Sequence, residues 1–312
     1  MIPSSPPPLI VIVGPTASGK SRLALELARR RAAVLISADA LQVYRGFDAA
    51  TGKPTPEERA AVPHALLDVA DPREPFSAGD FARAAEAILI EARAAGRRPI
   101  VVGGTGLYVR ALLRGLFAGP ARDEGLRLRL RGMARGGGPR RLHRLLTRLD
   151  PARAGRLAPL DLQRVIRALE IRLLTGRTYA AHLQAEQADL WSGPDRHAAI
   201  KIGLEIDRTL LAERIAVRVR GFFAAGLVDE VRRLLASGVP PEANAFKAIG
   251  YREAIAVVQG TLNPADAVEA TIRATRRYAR RQMAWFRREP AVRWLDAADP
   301  GGLLQAAASL VD

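Results

Sequence analysis

A glycine-rich segment directly after an apolar run constrains the fold of this 312-residue chain more than any other feature. The run, residues 9–13, is continuous and β-branched, which is typical of a strand buried on both faces of a parallel sheet. The segment that follows fits the pattern G-x-x-x-x-G-K-[S/T]. It comprises Gly14, Pro15, Thr16, Ala17, Ser18, Gly19, Lys20 and Ser21.

Backbone N–H groups of such a loop surround phosphate oxygens at the N-terminus of the next helix. Lys20 adds a positive charge, and the hydroxyl of Ser21 can bind Mg²⁺. The alternative, an ordinary glycine turn, does not explain the strand before the loop and the helix pattern after it. We therefore predict that these eight residues bind a diphosphate or triphosphate with Mg²⁺; ATP is one ligand of this kind.

Strand and helix patterns alternate around this loop. Strands are predicted at 33–37, 99–102, 201–206 and 292–295, and helices at 21–29 and 81–95. This alternation predicts an α/β fold, a parallel sheet flanked by helices, with ligands bound outside the carboxyl ends of the strands. The phosphate loop, Asp39 and Thr105 each follow a predicted strand, so we expect them to meet in one crevice.

Strand patterns disappear between residues 119 and 193, where arginine- and leucine-rich helices are interrupted by glycine and proline. This segment is predicted to be a helical insertion domain that contacts a polyanion. The catalytic core would then comprise 9–118 together with 194–312. The proline-rich residues 1–8 are predicted to be disordered.

The chain is strongly basic, with a net charge of +16, and 44 of its 48 basic residues are arginines. Arginine binds phosphate bidentately, so the excess favours a nucleic-acid partner, although a GC-rich genome also enriches arginine. The absence of cysteine excludes disulfides, thiolate catalysis and cysteine-ligated metals. No apolar run is long enough to span a membrane, and no basic secretion signal precedes the first strand. We therefore expect a cytoplasmic protein.

The segments 37–46, SADALQVYRG, and 51–54, TGKP, carry two specific motifs. They resemble the D-S-x-Q-x-Y-R-G and T-A-K-P motifs of the tRNA dimethylallyltransferases, also called tRNA isopentenyltransferases. Further matches include 103–108, 161–170 and 275–287, and the resemblance covers roughly residues 9–296 in the family's order. Two positions depart from the pattern: Ala40 stands where the family usually has Ser, and Gly52 replaces the usual Ala.

This resemblance implies a P-loop NTPase-like core and a prenyl transfer reaction. A dimethylallyl group would pass from dimethylallyl diphosphate to N6 of the adenosine on the 3′ side of the tRNA anticodon, releasing diphosphate. The implied cofactor is Mg²⁺, the implied partner is the tRNA anticodon stem-loop, and we expect a monomer.

Three residues are expected to serve the chemistry. Asp39 could accept a hydrogen bond from N6–H and take its proton; a helix N-cap or a Mg²⁺ ligand is the alternative. Thr105 could bond the bridging diphosphate oxygen or the base, or merely cap a helix. The resemblance places Arg218 at the diphosphate, whereas a lone arginine is ordinarily on a solvated helix face.

The resemblance also implies a tRNA-binding set, in which Arg127 is placed near both the diphosphate and the tRNA. The set comprises Asp39, Ala40, Leu41, Gln42, Thr105, Arg127, Gln163, Arg164, Val165, Ile166, Arg167, Phe246, Lys247, Ala248, Ile249, Gly250 and Tyr251. Gln42 could present a donor and an acceptor to a base edge. The arginine-rich segment 272–288 favours contact with an RNA backbone over a merely solvated face.

Three other functions share part of this pattern. A small-molecule kinase would explain the loop and Mg²⁺ but not the QVYRG run or the basic insertion, and it would consume ATP. A prenyltransferase acting on free adenine nucleotides shares the chemistry but does not need a basic insertion. A non-catalytic RNA-binding P-loop protein would not need Asp39, Lys20 and Thr105 together.

Overall fold

The computed structural model describes residues 7–116, 119–185 and 193–311. Within these ranges the chain divides into two compact units. The first comprises the described residues of Met1–Leu113 and Asp195–Asp312, and the second those of Arg114–Pro194. The predicted insertion, 119–193, falls within the second unit. Of the terminus predicted to be disordered, residues 1–6 lie outside the described residues.

The first unit is built on a six-stranded sheet of order β3-β2-β4-β1-β5-β6, in which every pairing is parallel. The predicted parallel α/β sheet is therefore confirmed. Strand β3 was not predicted, because two residues are too few to show a pattern. The strands are β1 Leu9–Val13, β2 Ala33–Ser37, β3 His64–Ala65, β4 Arg98–Gly103, β5 Ala199–Glu205 and β6 Val292–Asp296.

Helices account for most of the remaining described residues. In chain order they are α1 Lys20–Arg29, α2 Pro56–Ala61, α3 Ala78–Ala94, α4 Gly106–Arg114, α5 Glu124–Gly137, α6 Pro139–Leu149, α7 Pro151–Ala154, α8 Leu162–Thr175, α9 Tyr179–Ala185, α10 Arg208–Ala224, α11 Leu227–Ala236, α12 Tyr251–Val258, α13 Pro264–Phe286 and α14 Pro300–Val311. A short 3₁₀ turn, Asn244–Lys247, precedes α12.

Both faces of the sheet are covered, which explains why its central strands are continuously apolar. Side chains of a strand alternate between faces. Ile10 and Ile12 of β1 pack in the cluster that contains α1 and α14. Leu9 and Val11 pack in the opposite cluster with α3, α4 and Phe286 at the end of α13. The sheet is thereby a rigid platform for the loops that leave its carboxyl edge.

The strand register aligns the ends of three neighbouring strands. Val13 of β1 lies opposite Gly103 of β4, and Ser37 of β2 lies opposite Val102. The segments that follow β1, β2 and β4 therefore start at the same edge of the sheet. Those segments are the phosphate loop, the Asp39 turn and the Thr105 turn.

A cluster of buried charged side chains in the first unit connects β5, α4 and the segment before β6. Lys201 of β5 contacts Glu289 and Asp195 at 3.2 and 2.7 Å. The same Glu289 accepts two bonds from Arg110, whose side chain is 1% exposed. Buried ion pairs need this degree of mutual bonding to offset their desolvation. The pairs fix α4 against the start of β6.

The second unit has its own apolar core, formed by leucines and valine of α5, α6 and α8. Inside it lies Glu170, a fully buried carboxylate. Glu170 accepts bonds from Arg127 at 2.6 and 2.7 Å, from Arg167, and from the Asp123 N–H. Burial opposes ionisation of Glu170, but these bonds outweigh it and lower its pKa to about 2.

We predict that Glu170→Gln destabilises the protein by about 3 kcal/mol, because it leaves the half-buried Arg127 without a charged partner. The wild-type contribution should be complete above the unfolded-state pKa of a glutamate. It should be lost as pH falls from there towards about 2, since the folded pKa is lowered. Denaturant unfolding at several pH values measures both effects.

The matched control is Glu124→Gln in the same unit, where the carboxylate is 60% exposed and its nearest arginine nitrogen is 3.5 Å away. It should change stability by less than about 1 kcal/mol. Equal losses in both variants would contradict the role given to Glu170.

Candidate functional site

The phosphate loop leads into the N-terminus of α1. Gly19 is the N-cap in a left-handed conformation, and no side chain caps the first turn. The free N–H groups of that turn are therefore available to an anion. Ala17 also has a positive φ, of 64°, which costs a non-glycine residue about 1 kcal/mol and is typical of functional loops.

A hydroxyl inside the loop lacks a partner. The Ser18 side chain is 1% exposed, and its oxygen makes no hydrogen bond within the described part of the chain. A buried hydroxyl without a partner costs about 1–3 kcal/mol. The loop is therefore suited to an oxygen-rich ligand that can bond this hydroxyl.

Lys20 is the cation of the loop. Its Nζ donates to the Pro15 carbonyl at 3.0 Å. Burial and the nearby Arg218 charge lower the pKa of Lys20 to about 8, although Asp39 opposes the shift. An anion bound here would stabilise the ammonium form and raise the pKa of Lys20 again.

Asp39 follows β2 and closes a turn. Its Oδ1 accepts the N–H groups of Leu41 and Gln42, at 2.9 and 3.4 Å. The residues after it form turns and no helix, so the N-cap alternative does not apply. No described residue donates to the second carboxylate oxygen. That oxygen is free to accept a proton or a hydrogen bond.

Thr105 joins two of the loops. Its Oγ1 accepts the Ala40 N–H at 3.1 Å, and its own N–H donates to the Ala38 carbonyl at 3.2 Å. A Cβ atom at Gly103 would overlap the Ala38 backbone, so this approach requires glycine. The Thr105 carbonyl also accepts the Tyr108 N–H at the start of α4. Thr105 is thus fixed beside the Asp39 turn.

Arg218 projects from α10 into the same cavity, and not onto a solvated helix face. Burial lowers the pKa of Arg218, and the charge of Asp39 partly offsets this. A Cβ atom at Gly52 would overlap the Arg218 guanidinium. The glycine that departs from the T-A-K-P motif therefore leaves room for Arg218.

These residues line one cavity of about 370 Å³. In the part of the chain that the structure describes, the charged groups lining it are one carboxylate, Asp39, and four cations, Lys20, Arg218, Lys247 and Arg281. Such an excess of positive charge favours a diphosphate over a neutral ligand. The structure brings together the phosphate loop, Asp39 and Thr105, as the strand ends predict, and adds Arg218, as the family resemblance implies.

Gln42 lies at the cavity, but its carboxamide is engaged by the chain itself. Its oxygen accepts the Ser37 hydroxyl at 2.6 Å, and its NH₂ donates to the carbonyls of Thr51 and Gly52. The contact of Gln42 with a base edge stays a prediction. In this structure Gln42 holds the Gly52 turn against Arg218.

The segment 246–251 divides between cavity and core. Lys247, Ala248 and Ile249 line the cavity. Phe246 and Tyr251 are at most 1% exposed and pack on the ring of Phe47. Both side chains belong to an apolar cluster with Phe47, and contact of this segment with RNA stays a prediction.

The tRNA-binding set in the second unit also divides between core and surface. Val165 and Ile166 are buried on the apolar face of α8, and their contact with RNA stays a prediction. Gln163 and Arg164 are exposed on the other face. Arg127 and Arg167 are bonded to Glu170, as described above. RNA contacts of these polar residues stay predictions.

Helix α13 contributes residues that were not predicted individually. Gln282 and Tyr278 line the cavity together with Arg281. Their polar side chains recur with Thr271 and Thr275 at the three- and four-residue spacing of one helix face. That spacing is the signal that could have identified them, and it was obscured by the surrounding arginines.

The protein groups suit a Mg²⁺ ion that arrives with phosphate ligands. No cluster of three or more His, Asp or Glu side chains within the described ranges could hold a metal alone. The Ser21 hydroxyl and the Asp39 carboxylate both line the cavity. Mg²⁺ commonly takes one or two protein ligands and completes its shell with phosphate oxygens and water.

Among the described helices, none combines the length and the apolar character needed to cross a membrane. The parallel sheet, the uncapped loop and the cation-lined cavity define a phosphate-binding protein of the P-loop class. The chain matches the family model described as IPP transferase over residues 42–289, and that described as isopentenyl transferase over residues 7–75. This chain belongs to the IPP transferase family.

Relatives match almost the whole chain. A tRNA dimethylallyltransferase of Anaeromyxobacter sp. is 49% identical over 92% of this chain and 94% of its own, and that of Geobacter metallireducens is 45% identical over 92% of each. The crystal structure of a full-length tRNA isopentenylpyrophosphate transferase from Bacillus halodurans is 37% identical, with a TM-score of 0.72 over 97% of this chain and 95% of its own. A eukaryotic dimethylallyltransferase, described in crystallographic snapshots as acting on tRNA, is 25% identical with a TM-score of 0.78 over 94% of this chain and 74% of its own.

We predict that affinity for an unreactive alkyl diphosphate with Mg²⁺ falls as pH rises through about 8. Below that pH the ammonium of Lys20 is already formed. Above it, binding must also take up a proton, so the affinity falls by up to about tenfold per pH unit. Calorimetric titration between pH 7 and 9.5 measures the slope. In Lys20→Met the slope in this range should be flatter; an unchanged slope would show that another group titrates.

We predict that Gly52→Ala weakens binding of the same ligand, because the new methyl group displaces the Arg218 guanidinium. Gly96→Ala is the matched control, since φ is 61° at Gly52 and 66° at Gly96, and a Cβ atom at Gly96 meets open space. Both variants should lose about 1 kcal/mol of stability from the left-handed alanine. Gly52→Ala should lower the affinity for the ligand, and Gly96→Ala should not. In an Arg218→Ala background, Gly52→Ala should have no further effect on affinity.

Proposed function

We propose that this protein is a tRNA dimethylallyltransferase. It transfers a dimethylallyl group from dimethylallyl diphosphate to N6 of the adenosine on the 3′ side of the tRNA anticodon, and it releases diphosphate. The observation that carries this proposal is the placement of one free carboxylate oxygen, on Asp39, in the same cavity as an uncapped phosphate loop. The family and the names of its close relatives support it.

The donor diphosphate is assigned to the phosphate loop. Free N–H groups at the start of α1 and the unpaired Ser18 hydroxyl would bind its oxygens. Lys20 and Arg218 would neutralise the charge that grows as the diphosphate leaves. When bound, Mg²⁺ held by Ser21 would stabilise the same charge.

The acceptor nitrogen is a poor nucleophile, because its lone pair is conjugated with the adenine ring. The free oxygen of Asp39 would accept a hydrogen bond from N6–H and hold the nitrogen towards the donor carbon. The N6–C bond forms as the bond from carbon to diphosphate oxygen breaks. The N6 proton passes to the Asp39 carboxylate, and the electron pair of the broken bond leaves with the diphosphate.

Thr105 is assigned to orienting the reacting groups. Its Oγ1 already accepts the Ala40 N–H, so its hydroxyl proton is available to donate. Its acceptor would be the bridging oxygen of the diphosphate or the incoming base. Since Thr105 and Asp39 are tied through adjacent backbone groups, their spacing is fixed before substrates bind.

The distribution of positive charge supports tRNA as the acceptor substrate. A second cavity of about 1060 Å³, beside α10 and α13, is lined by three carboxylates and by twice as many arginines. The carboxylates are Glu205, Asp207 and Asp296, and the arginines are Arg208, Arg273, Arg276, Arg277, Arg280 and Arg287. None of these arginines has a carboxylate within 4.0 Å in the described ranges. Unpaired arginines repel one another unless an anion is near, and RNA phosphates supply it. We assign tRNA contacts to this groove and to the polar face of α8, and we propose a monomer because one chain carries the whole cavity.

A prenyltransferase of free adenine nucleotides is the second candidate, favoured by the match to the isopentenyl transferase model. That match ends at residue 75, whereas the IPP transferase match extends to residue 289 and includes the second unit. The tRNA substrate is therefore the better assignment.

The experiment that tests the function measures diphosphate release with two acceptors, tRNA and AMP, and separately measures ATP hydrolysis. We expect release with tRNA, Mg²⁺ and dimethylallyl diphosphate in the absence of ATP. AMP should be poorer by about tenfold or more, because it makes none of the arginine contacts. ATP hydrolysis with no prenyl transfer would identify a kinase-like protein, and equal use of AMP would identify the second candidate.

We predict that Asp39→Asn lowers kcat by about 10²–10⁴-fold, because it keeps the shape of the side chain and loses its proton affinity. Binding of both substrates should change much less. Single-turnover transfer across a Mg²⁺ series, with saturating tRNA, measures this. If raised Mg²⁺ restores the rate, Asp39 is a metal ligand and not the base.

A further inference from the structure

Gln282 of α13 connects two loops that are far apart in the sequence. Its side chain is 5% exposed. Its Oε1 accepts the N–H of Thr16 in the phosphate loop at 2.9 Å, and its Nε2 donates to the carbonyl of Gly104 at 2.9 Å. One buried carboxamide therefore spans from the loop after β1 to the turn after β4.

The turn 103–106 is shaped to receive α13. A Cβ atom at Gly104 would overlap Nε2 of Gln282, and one at Gly106 would overlap the ring of Trp285. Any larger residue would push the helix away from the sheet edge. The glycines thus let Gln282 approach the backbone closely enough to bond it.

The connection continues to the acceptor side of the cavity. Gly104, which accepts from Gln282, is followed by Thr105, and the Oγ1 of Thr105 accepts the N–H of Ala40, the residue after Asp39. The N–H of Thr105 donates to the carbonyl of Ala38, the residue before Asp39. Hydrogen bonds therefore run from the phosphate loop through Gln282 and the backbone of residues 104–105 to both neighbours of the carboxylate.

We propose that Gln282 is a positioning residue that fixes the distance between the diphosphate loop and the Asp39–Thr105 turns. It touches neither reacting atom in this assignment. Its effect on transfer rests on the proposed function, because it sets where the leaving group lies relative to the acceptor nitrogen. Its effect on the loop itself is independent of that function, since Thr16 belongs to the phosphate cradle.

A merely structural role would give a different result. Loss of a buried bond that only stabilises α13 would lower the melting temperature and leave the kinetic constants unchanged. A misplaced loop changes the rate of the chemical step, because displacements of about 1 Å cost up to about 10²-fold. The affinity for RNA depends on exposed arginines, so it should not change when the rate of the chemical step falls.

The test uses Gln282→Leu, which has a similar volume and neither bond, in the full chain. We expect kcat to fall by about tenfold or more, the Kd for Mg²⁺–pyrophosphate to rise by about threefold or more, and the Kd for tRNA to stay within about threefold. Gly104→Ala keeps the carboxamide, but its Cβ atom would overlap Nε2 of Gln282, so we expect it to lower kcat as well. The double variant should lose less than the product of the two effects, because both changes act on one contact.

Ala267→Gly is the matched control on the same helix. Ala267 is buried and lines neither cavity, so glycine there weakens α13 and removes no bond to either loop. We expect wild-type kinetic constants. If Ala267→Gly and Gln282→Leu lower kcat equally, or if Gln282→Leu changes only the melting temperature, the positioning role is wrong.

Two further outcomes are decisive. If Gln282→Leu does not fold, Gly104→Ala with unchanged kcat would overturn the positioning role. If the wild-type protein shows no transfer at all, the proposed function fails. In that case the change in Mg²⁺–pyrophosphate affinity still tests whether Gln282 positions the loop, and an unchanged affinity would reject it.

Discussion

The site depends on an imbalance of charge in a confined space. Lys20 and Arg218 lie in one cavity where Asp39 is the only carboxylate among the described lining residues, and burial lowers the pKa of both cations. The protein supplies too little negative charge to balance them, and it leaves the Ser18 hydroxyl unpaired. A bound diphosphate satisfies all of these groups at once. The ligand class therefore follows from what the folded chain leaves uncompensated.

The sheet makes this arrangement predictable from local sequence. The strand patterns and the glycine-rich loop identify the carboxyl edge, so the strand ends alone place Asp39 and Thr105 together. The hydrogen-bond partners and the burial of individual side chains could not be predicted in this way. Gln42 bonds its own chain, and Phe246 is a core residue, because bonding and burial depend on packing that local pattern does not encode. Gln282 contacts Thr16 across 266 residues, which no local motif indicates.

The two departures from the family motifs both lie at the cavity. Ala40 lacks a hydroxyl, but its backbone N–H still binds Thr105, so the tie between the two turns is kept. Gly52 leaves space that the Arg218 guanidinium occupies. The first change removes one polar group from the wall, and the second allows a cation to move closer to the Gly52 turn. Neither removes a group assigned to bind the diphosphate or to take the proton.

The most direct measurement is nucleoside mass analysis of tRNA incubated with the protein, Mg²⁺ and dimethylallyl diphosphate. If the diphosphate lies on the phosphate loop and Asp39 faces the acceptor, one adenosine should gain a dimethylallyl group on N6. Fragment mapping should place it on the 3′ side of the anticodon. Unmodified tRNA with intact donor, or a prenyl group on another nucleoside, would contradict this account.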